Sequence, residues 1–219
     1  TYSQYTHSGT NYINHLAVNL GDSHTKLDIG LPSPINKTQT TTSLANRDSK
    51  DGNRVVGAIN ASFFDMNSGY PMYLISQGNN IINGGVISNS SSYYVSQPIA
   101  FGVTKDGLAE IDHFNLGIHL GYKGFNYQIT GLNRERQNDE TIIFTPQYSS
   151  QYTNSNQYGI EIVIDTGQPI TATQYGQKLS GKVVKVRDYG SKEKVEIPKT
   201  GFVLSVHGAK GLERFKNMQ

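Results

Sequence analysis

Glu161 stands inside an otherwise apolar run, Tyr158-Gly159-Ile160-Glu161-Ile162-Val163-Ile164. If the run is a strand, Ile160, Ile162 and Ile164 share one face and Glu161 and Val163 the other. A carboxylate there either faces solvent or belongs to a site where burial raises its pKa. In Gly131-Leu132-Asn133-Arg134-Glu135-Arg136 two arginines flank a glutamate. Their forked donors suit a phosphate or a carboxylate; the competing reading is a solvated turn with a local ion pair. In Gly57-Ala58-Ile59-Asn60-Ala61-Ser62-Phe63-Phe64-Asp65 a buried strand is expected to break into small polar residues. Phe63 and Phe64 cannot both enter one core, so Asn60 and Asp65 fall on a loop beyond a rigid strand, where functional side chains stand. The plainer reading is a strand end with turn-forming Asn and Asp. Leu204-Ser205-Val206-His207-Gly208 ends in a histidine able to bind an anion or to move a proton. A lone histidine is more often structural.

Much chemistry is excluded. There is no cysteine, hence no disulfide, thiolate ligand or thiol nucleophile. No GxSxG, Walker A, GxGxxG or EF-hand loop occurs, which disfavours serine hydrolases, NTPases, nicotinamide enzymes and EF-hand proteins. The six histidines show no metal-ligand spacing. No cofactor and no metal site are therefore expected; a divalent cation is compatible with the many loop Asp and Asn residues, but no spacing places one. Net charge is only +2 and the basic residues are dispersed, so no nucleic acid is expected as partner. No apolar run of about 18 residues occurs, so no membrane span is expected. Charged residues make up 16% of the 219 positions, below the usual share of about 25%. Asn, Ser, Thr, Gln and 14 Tyr carry the polarity instead. Such a cysteine-free, neutral-polar composition is associated with extracellular bacterial proteins. Thr1 as first residue points to a processed or trimmed chain.

The elements that must hold these residues are mostly strands. Predicted strands are Ile13 to Leu20, Lys26 to Ile29, Arg54 to Ile59, Met72 to Ile75, Ile99 to Thr104, Ala109 to Phe114, Thr141 to Phe144, Ile160 to Ile164, Lys182 to Arg187 and Phe202 to Val206. Lys105-Asp106-Gly107 marks a hairpin in which Asp-Gly supplies positive φ angles. Helices are predicted at Thr41 to Asp48, behind a Thr or Ser cap, and at Gly208 to Met218, where Leu212 and Phe215 share a face. Asn83 to Ser96 and Tyr148 to Gln157 read as surface loops. The expected fold class is α+β, β-rich, with a mixed sheet core and few short helices, in a single domain over residues 1–219.

Taken in order, these segments resemble the phosphodiester glycosidase domain, the family of the mannose-6-phosphate uncovering enzyme. The resemblance rests on Ile59-Asn60-Ala61-Ser62-Phe63-Phe64, the turn from Pro71 to Gly78, and the hairpin from Ala100 to Gly107. It continues with Asn133-Arg134-Glu135-Arg136 before Phe144-Thr145, Thr153-Asn154, Gly159-Ile160-Glu161, and Pro198 to Gly208. No one motif is specific; order and spacing from Ala17 to Met218 carry the match. Family domains go on to an Arg-Thr element and a Leu-Asp-Gly-Gly-Gly-Ser element, which this sequence lacks. The resemblance therefore implies an incomplete site and, as a partner, a C-terminal fragment of the same domain.

The activity implied is hydrolysis of a sugar-1-phosphodiester in extracellular or cell-envelope glycans by a secreted or cell-surface protein. The phosphate leaving group is a weak base, while an oxocarbenium-like transition state wants a carboxylate beside it. Arg134 and Arg136 are expected on the phosphate, with Asn133 and Asn154 nearby; Glu161 or Asp65 as the carboxylate; Asn60 and His207 orienting sugar hydroxyls or phosphate. The alternative is a non-catalytic surface domain that binds envelope polysaccharide or a teichoic-acid-like polymer, its Tyr, Asn and Gln side chains serving stacking and hydrogen bonding. A weaker third reading is a structural module of a larger surface protein.

Overall fold

The computed structural model describes residues 1–84, 98–148, 150–215 and 217–218. In chain order the elements are β1 (Tyr2–His7), β2 (Asn11–Leu16), α1 (Thr41–Asp48), β3 (Ile75–Gln77), β4 (Asn80–Asn83), β5 (Ile99–Val103) and β6 (Ala109–His113). Then follow β7 (Ile118–Tyr122), β8 (Phe125–Ile129), β9 (Gly131–Leu132), β10 (Thr141–Phe144), a 3-10 turn (Pro146–Tyr148), β11 (Gly159–Asp165), β12 (Lys182–Arg187), β13 (Gly201–His207) and α2 (Ala209–Phe215). Strand dominates over helix, 36% against 9%, and the largest sheet is mixed, so the fold is β-rich α+β as the sequence predicts. No helix among the described residues is long and apolar enough to cross a membrane.

The chain divides into two compact units. The first comprises Thr1–Leu31, Gln39–Asn60 and Phe101–Asp112. Its β1 and β2 pair antiparallel from Tyr2↔Leu16 to His7↔Asn11, joined by a turn in which Ser8 and Gly9 take positive φ. Helix α1 has the predicted bounds because its ends are capped: the Thr40 hydroxyl accepts the Ser43 N–H at 3.2 Å, and Ser49 N–H donates to Ala45 O. No hydrophobic side chain of this unit is buried. Lys26 to Ile29 and Arg54 to Ile59, predicted as strands, are not strands in the structure, and the second is not buried: Val56 is 87% exposed and Ile59 75%. β-branched residues favour extended backbone, but a strand also needs a ladder neighbour, and among the described residues no strand ladder forms on these segments. In the β5–β6 hairpin Thr104 N–H donates to Leu108 O and Gly107 N–H to Thr104 O. Only Gly107, at φ 81°, adopts the left-handed conformation there; Asp106 does not.

The second unit comprises Pro32–Thr38, Ala61–Ala100 and His113–Gln219 and holds a five-stranded sheet of order β12-β11-β13-β10-β9. β11 lies between β12 and β13, antiparallel to both; β10 is antiparallel to β13 and parallel to β9. One sheet face carries Ile160, Ile162, Ile164, Phe202, Leu204 and Val206, packed with Phe215 of α2, Met218 and Ile129 of β8. Ile162 and Leu204 are fully enclosed, each contributing about 2 kcal/mol by leaving water. α2 is shorter than predicted, Ala209–Phe215, with Phe215 its buried anchor. Strands β1, β4 and β9 carry too little apolar alternation to announce themselves, whereas β7 (Ile-His-Leu-Gly-Tyr) and β8 (Phe-Asn-Tyr-Gln-Ile) alternate and pair as a hairpin that is missing from the predicted strands. The predicted loop from Asn83 to Ser96 lies outside the described residues beyond Gly84.

Candidate functional site

The opposite face of the sheet is also buried, and beside the apolar Ile142, Phe144, Val163 and Val203 it carries a polar cluster. Register decides which side chains meet there: Glu161 lies opposite Arg187 of β12 on one side and Ser205 of β13 on the other. Side chains directly opposite in an antiparallel pair share a face about 5 Å apart. Arg187 Nη1 stands 3.2 Å from Glu161 Oε2, with side-chain exposures of 2% and 0%. This is an ion pair that falls short of hydrogen-bond geometry: neither Glu161 oxygen accepts a hydrogen bond among the described residues. A third charge enters from the loop between β9 and β10. Arg136 Nη1 donates to Ser205 Oγ at 2.9 Å and Val206 O at 3.3 Å. Arg136 Nη2 donates to Asn156 Oδ1 at 2.7 Å and Asn156 O at 3.1 Å. Arg187 Nη2 donates to that same Asn156 carbonyl at 3.0 Å and to Gly159 O at 3.3 Å. Ser155 Oγ meets Ser205 Oγ at 3.0 Å. Both guanidiniums thus clamp the loop leading into β11 onto the sheet.

Gly159 is required by this packing. A Cβ at that position would lie 2.4 Å from Arg136 Nη1 and 2.2 Å from Val206 O. Gly131 does the same for Arg134, whose Nε would be 2.5 Å from a Cβ. The electrostatics are lopsided: two guanidiniums share one carboxylate. Loss of water pushes the Arg136 guanidinium down to about 10, against the attraction of Glu161, and the Arg187 charge adds to the fall. Arg136 is still protonated at neutral pH. Its Nε and that of Arg187 are buried without a partner among the described residues.

Other predicted site residues go elsewhere. Arg134 is buried and grips Glu140 with two hydrogen bonds of 2.7 Å, so its charge is already satisfied internally. Asn133, at φ 51°, ties Thr145 and Ile82 together: its Oδ1 accepts the Thr145 N–H at 2.7 Å, and its Nδ2 donates to Thr145 Oγ1 and Ile82 O. His207 accepts the Asp139 N–H at Nδ1, 2.9 Å away, which places the proton of its neutral form on Nε2. Asn154 is exposed at φ 55°, its Nδ2 donating to Ser150 Oγ. Asn60 is exposed and lies in the first unit. Phe63 and Phe64 are 73% and 42% exposed, so neither is a core residue.

Asp65 caps a turn: its Oδ1 accepts the N–H groups of Ser68 (2.7 Å) and Asn67 (3.0 Å), and these hold its carboxyl below the usual range. Its own N–H donates to Tyr70 O. The Tyr70 ring stacks on Tyr148 with centroids 4.6 Å apart, and Tyr148 packs against Phe144 at 4.7 Å. Burial pushes the Tyr148 hydroxyl up, helped by Tyr70 and by the charge of Glu135. Partial enclosure of its carboxyl raises Glu135, and the charge of Asp65 raises it further.

Comparison with known proteins bears on the fold. No protein-family model matches the chain. No curated protein matches it either. A crystal structure of a hypothetical protein from Synechocystis is similar over 78% of this chain, at TM-score 0.56 and 16% identity. The chain spans 27% of that protein's length. At this identity the likeness shows the fold alone.

Arg187, Ser155, Asn156 and Ser205 carry no signal in the sequence as site residues. Arg187 is the last residue of an ordinary alternating strand, and only the β11–β12 register brings it to Glu161. Among the described residues no three His, Asp or Glu side chains gather as a metal-ligand set.

Proposed function

We propose that the second unit hydrolyses a sugar-1-phosphodiester, breaking the bond between the anomeric carbon and the phosphodiester oxygen, in extracellular or cell-envelope glycans. The observation that carries this reading is the charge imbalance of the Arg136–Glu161–Arg187 cluster, where one buried guanidinium charge has no counter-ion within the cluster. An anion such as phosphate complements that charge, with the Arg136 and Arg187 Nε groups, which have no partner among the described residues, and the neighbouring Ser155 and Ser205 hydroxyls as donors. In this reading Arg136 supplies the anion contact and Glu161 fixes Arg187. The exposed Asn154 and His207 Nε2 face sugar hydroxyls. The test is direct: the chain is incubated with a sugar-1-phosphate methyl diester, and free reducing sugar and methyl phosphate are measured. Release is expected; none at high enzyme concentration refutes the proposal.

A second reading is favoured by a different observation. An open groove of about 440 Å³ is lined by Thr166, Gln168, Thr171, Gln174, Gln177 and Lys178. Apart from Lys178 and the apolar Pro169, Ile170, Ala172 and Leu179, the lining is neutral and hydrogen-bonding, which suits a polysaccharide. This reading predicts glycan retention on a column without release of reducing sugar.

A further inference from the structure

We propose that the groove formed by the β11–β12 connection binds an acidic polysaccharide, one whose sugars carry a carboxylate, with Gln177 and Lys178 as the donors that recognise that group. The inference rests on the glycan-binding reading above and names the class of glycan.

The groove is made by one stretch of chain folded back on itself. Its lining residues all lie between Thr166 and Ser180, inside the connection from β11 to β12. The first limb is pinned from several sides. Ile170 N–H donates to Lys199 O at 3.0 Å, and Gln147 Nε2 donates to Ile170 O at 3.2 Å. Thr173 N–H donates to Asn80 Oδ1 at 2.7 Å, and Ile81 N–H to Thr173 O at 2.6 Å. The chain then turns at Gly176, φ 75°, and returns toward β12. Gly181 lets the two limbs close: a Cβ there would lie 2.5 Å from Asp165 O. A groove held in this way exists before the ligand arrives, so little ordering entropy is lost on binding.

Its donors point to the ligand. Gln177 Oε1 accepts the Gln174 N–H at 2.8 Å, and Gln177 N–H donates to Gln174 O at 3.1 Å. The acceptor end of the Gln177 amide is thus engaged, and its Nε2 hydrogens are left as donors. Lys178, the next residue, brings an ammonium with three donors and no acceptor. It is the single charged residue of the lining. Asp165 lies just before the lining begins, and its Oδ1 accepts the Gly167 N–H at 3.1 Å. Lys182 follows the lining and the Lys199 carbonyl is joined to Ile170, so lysines outnumber acids around this stretch. A negatively charged group that only accepts hydrogen bonds matches this arrangement, and a sugar carboxylate is such a group. A phosphate is better served by forked arginine donors, and no arginine lines the groove. Buried Ile170 and half-exposed Leu179 offer apolar surface for the C–H face of a sugar ring.

The test is calorimetric titration of the full chain with three oligosaccharides of equal length: a galacturonate, its methyl ester, which keeps the ring and removes the charge, and a neutral glucose oligomer. The acid form is expected to bind about tenfold or more tightly than the ester. That preference should shrink as salt is raised from about 0.05 to 0.5 M. K178M should weaken binding of the acid form about tenfold and leave the ester unchanged. K105M removes the same charge from the other unit and should change neither. Lys178 is exposed, and a circular dichroism melt checks that K178M folds. Equal binding of acid and ester overturns the inference and leaves the glycan reading standing. So does a glycerol-phosphate polymer that binds more tightly than the galacturonate. A K178M loss no larger than that of K105M shows general charge attraction and overturns the site. No binding of any of the three oligosaccharides overturns both the inference and the glycan reading.

Discussion

Replacing Arg187 by methionine isolates the physics of the buried cluster. Methionine keeps much of the aliphatic volume and removes the guanidinium. Glu161 is then a fully buried carboxylate facing Arg136 alone, without the cross-strand partner 3.2 Å away. Breaking a buried pair from one side costs about 3–5 kcal/mol. The Gly159 carbonyl also loses its Arg187 donor, adding about 1 kcal/mol. The Asn156 carbonyl keeps Arg136 and adds little. The expected loss is then about 4–6 kcal/mol, or a fall in Tm of roughly 10–20 °C for a domain of this size. Urea unfolding followed by far-UV circular dichroism measures it as a lower midpoint at unchanged slope. The double variant R187M/E161L tests the cause. With both charges gone, Arg136 still holds Ser205 and Asn156. The double variant should therefore be more stable than R187M alone by about 2 kcal/mol. An R187M variant within about 1 kcal/mol of wild type would behave like an exposed surface pair and would refute the reasoning.

G159A should destabilise by about 3 kcal/mol or more, since its methyl would overlap backbone as well as the Arg136 guanidinium; a chemical-denaturation loss under about 1 kcal/mol contradicts that packing. E135Q should be more stable than wild type at pH 7. A carboxyl raised in the folded state binds its proton more tightly there than when unfolded, so stability falls as pH rises from the ordinary glutamate range through the folded value. The gain should vanish near pH 3, where wild type is protonated in both states. D65N should show the opposite sign, less stable than wild type at pH 7 and converging with it as pH falls below the ordinary aspartate range of about 3.9 through the lower folded value. Thermal melts across pH 2–8 read both.

Much of the second unit was legible because its strands obey local rules. Ile160, Ile162 and Ile164 alternate with Glu161 and Val163, and the structure places the isoleucines together in the core on one face. Two answers that the sequence left open were closed by packing. Glu161 is fully buried, because β12 and β13 flank it and the Arg136–Asn156 clamp covers it. The Arg134–Glu135–Arg136 run divides, with both arginines inward and Glu135 outward; Arg134 finds Glu140 at the end of its own loop, while Arg136 finds Ser205 on β13. The strand expected over Arg54 to Ile59 failed for the same reason in reverse: its residues favour extended backbone, but among the described residues no strand ladder forms on it.

The sequence by itself determined the class of fold, the apolar face of β11 and β13, the ends of α1 and the absence of thiol chemistry. Those are set by side-chain period, capping groups and composition, which act within a few residues. Tertiary structure alone decided that Arg187 and Ser205 flank Glu161, that Arg136 crosses Gly159 to reach Ser205, and that Tyr70 stacks on Tyr148. Each depends on strand register or on loops closing across many residues. A one-residue shift in register would turn Arg187 or Ser205 away from Glu161, and no local pattern encodes it.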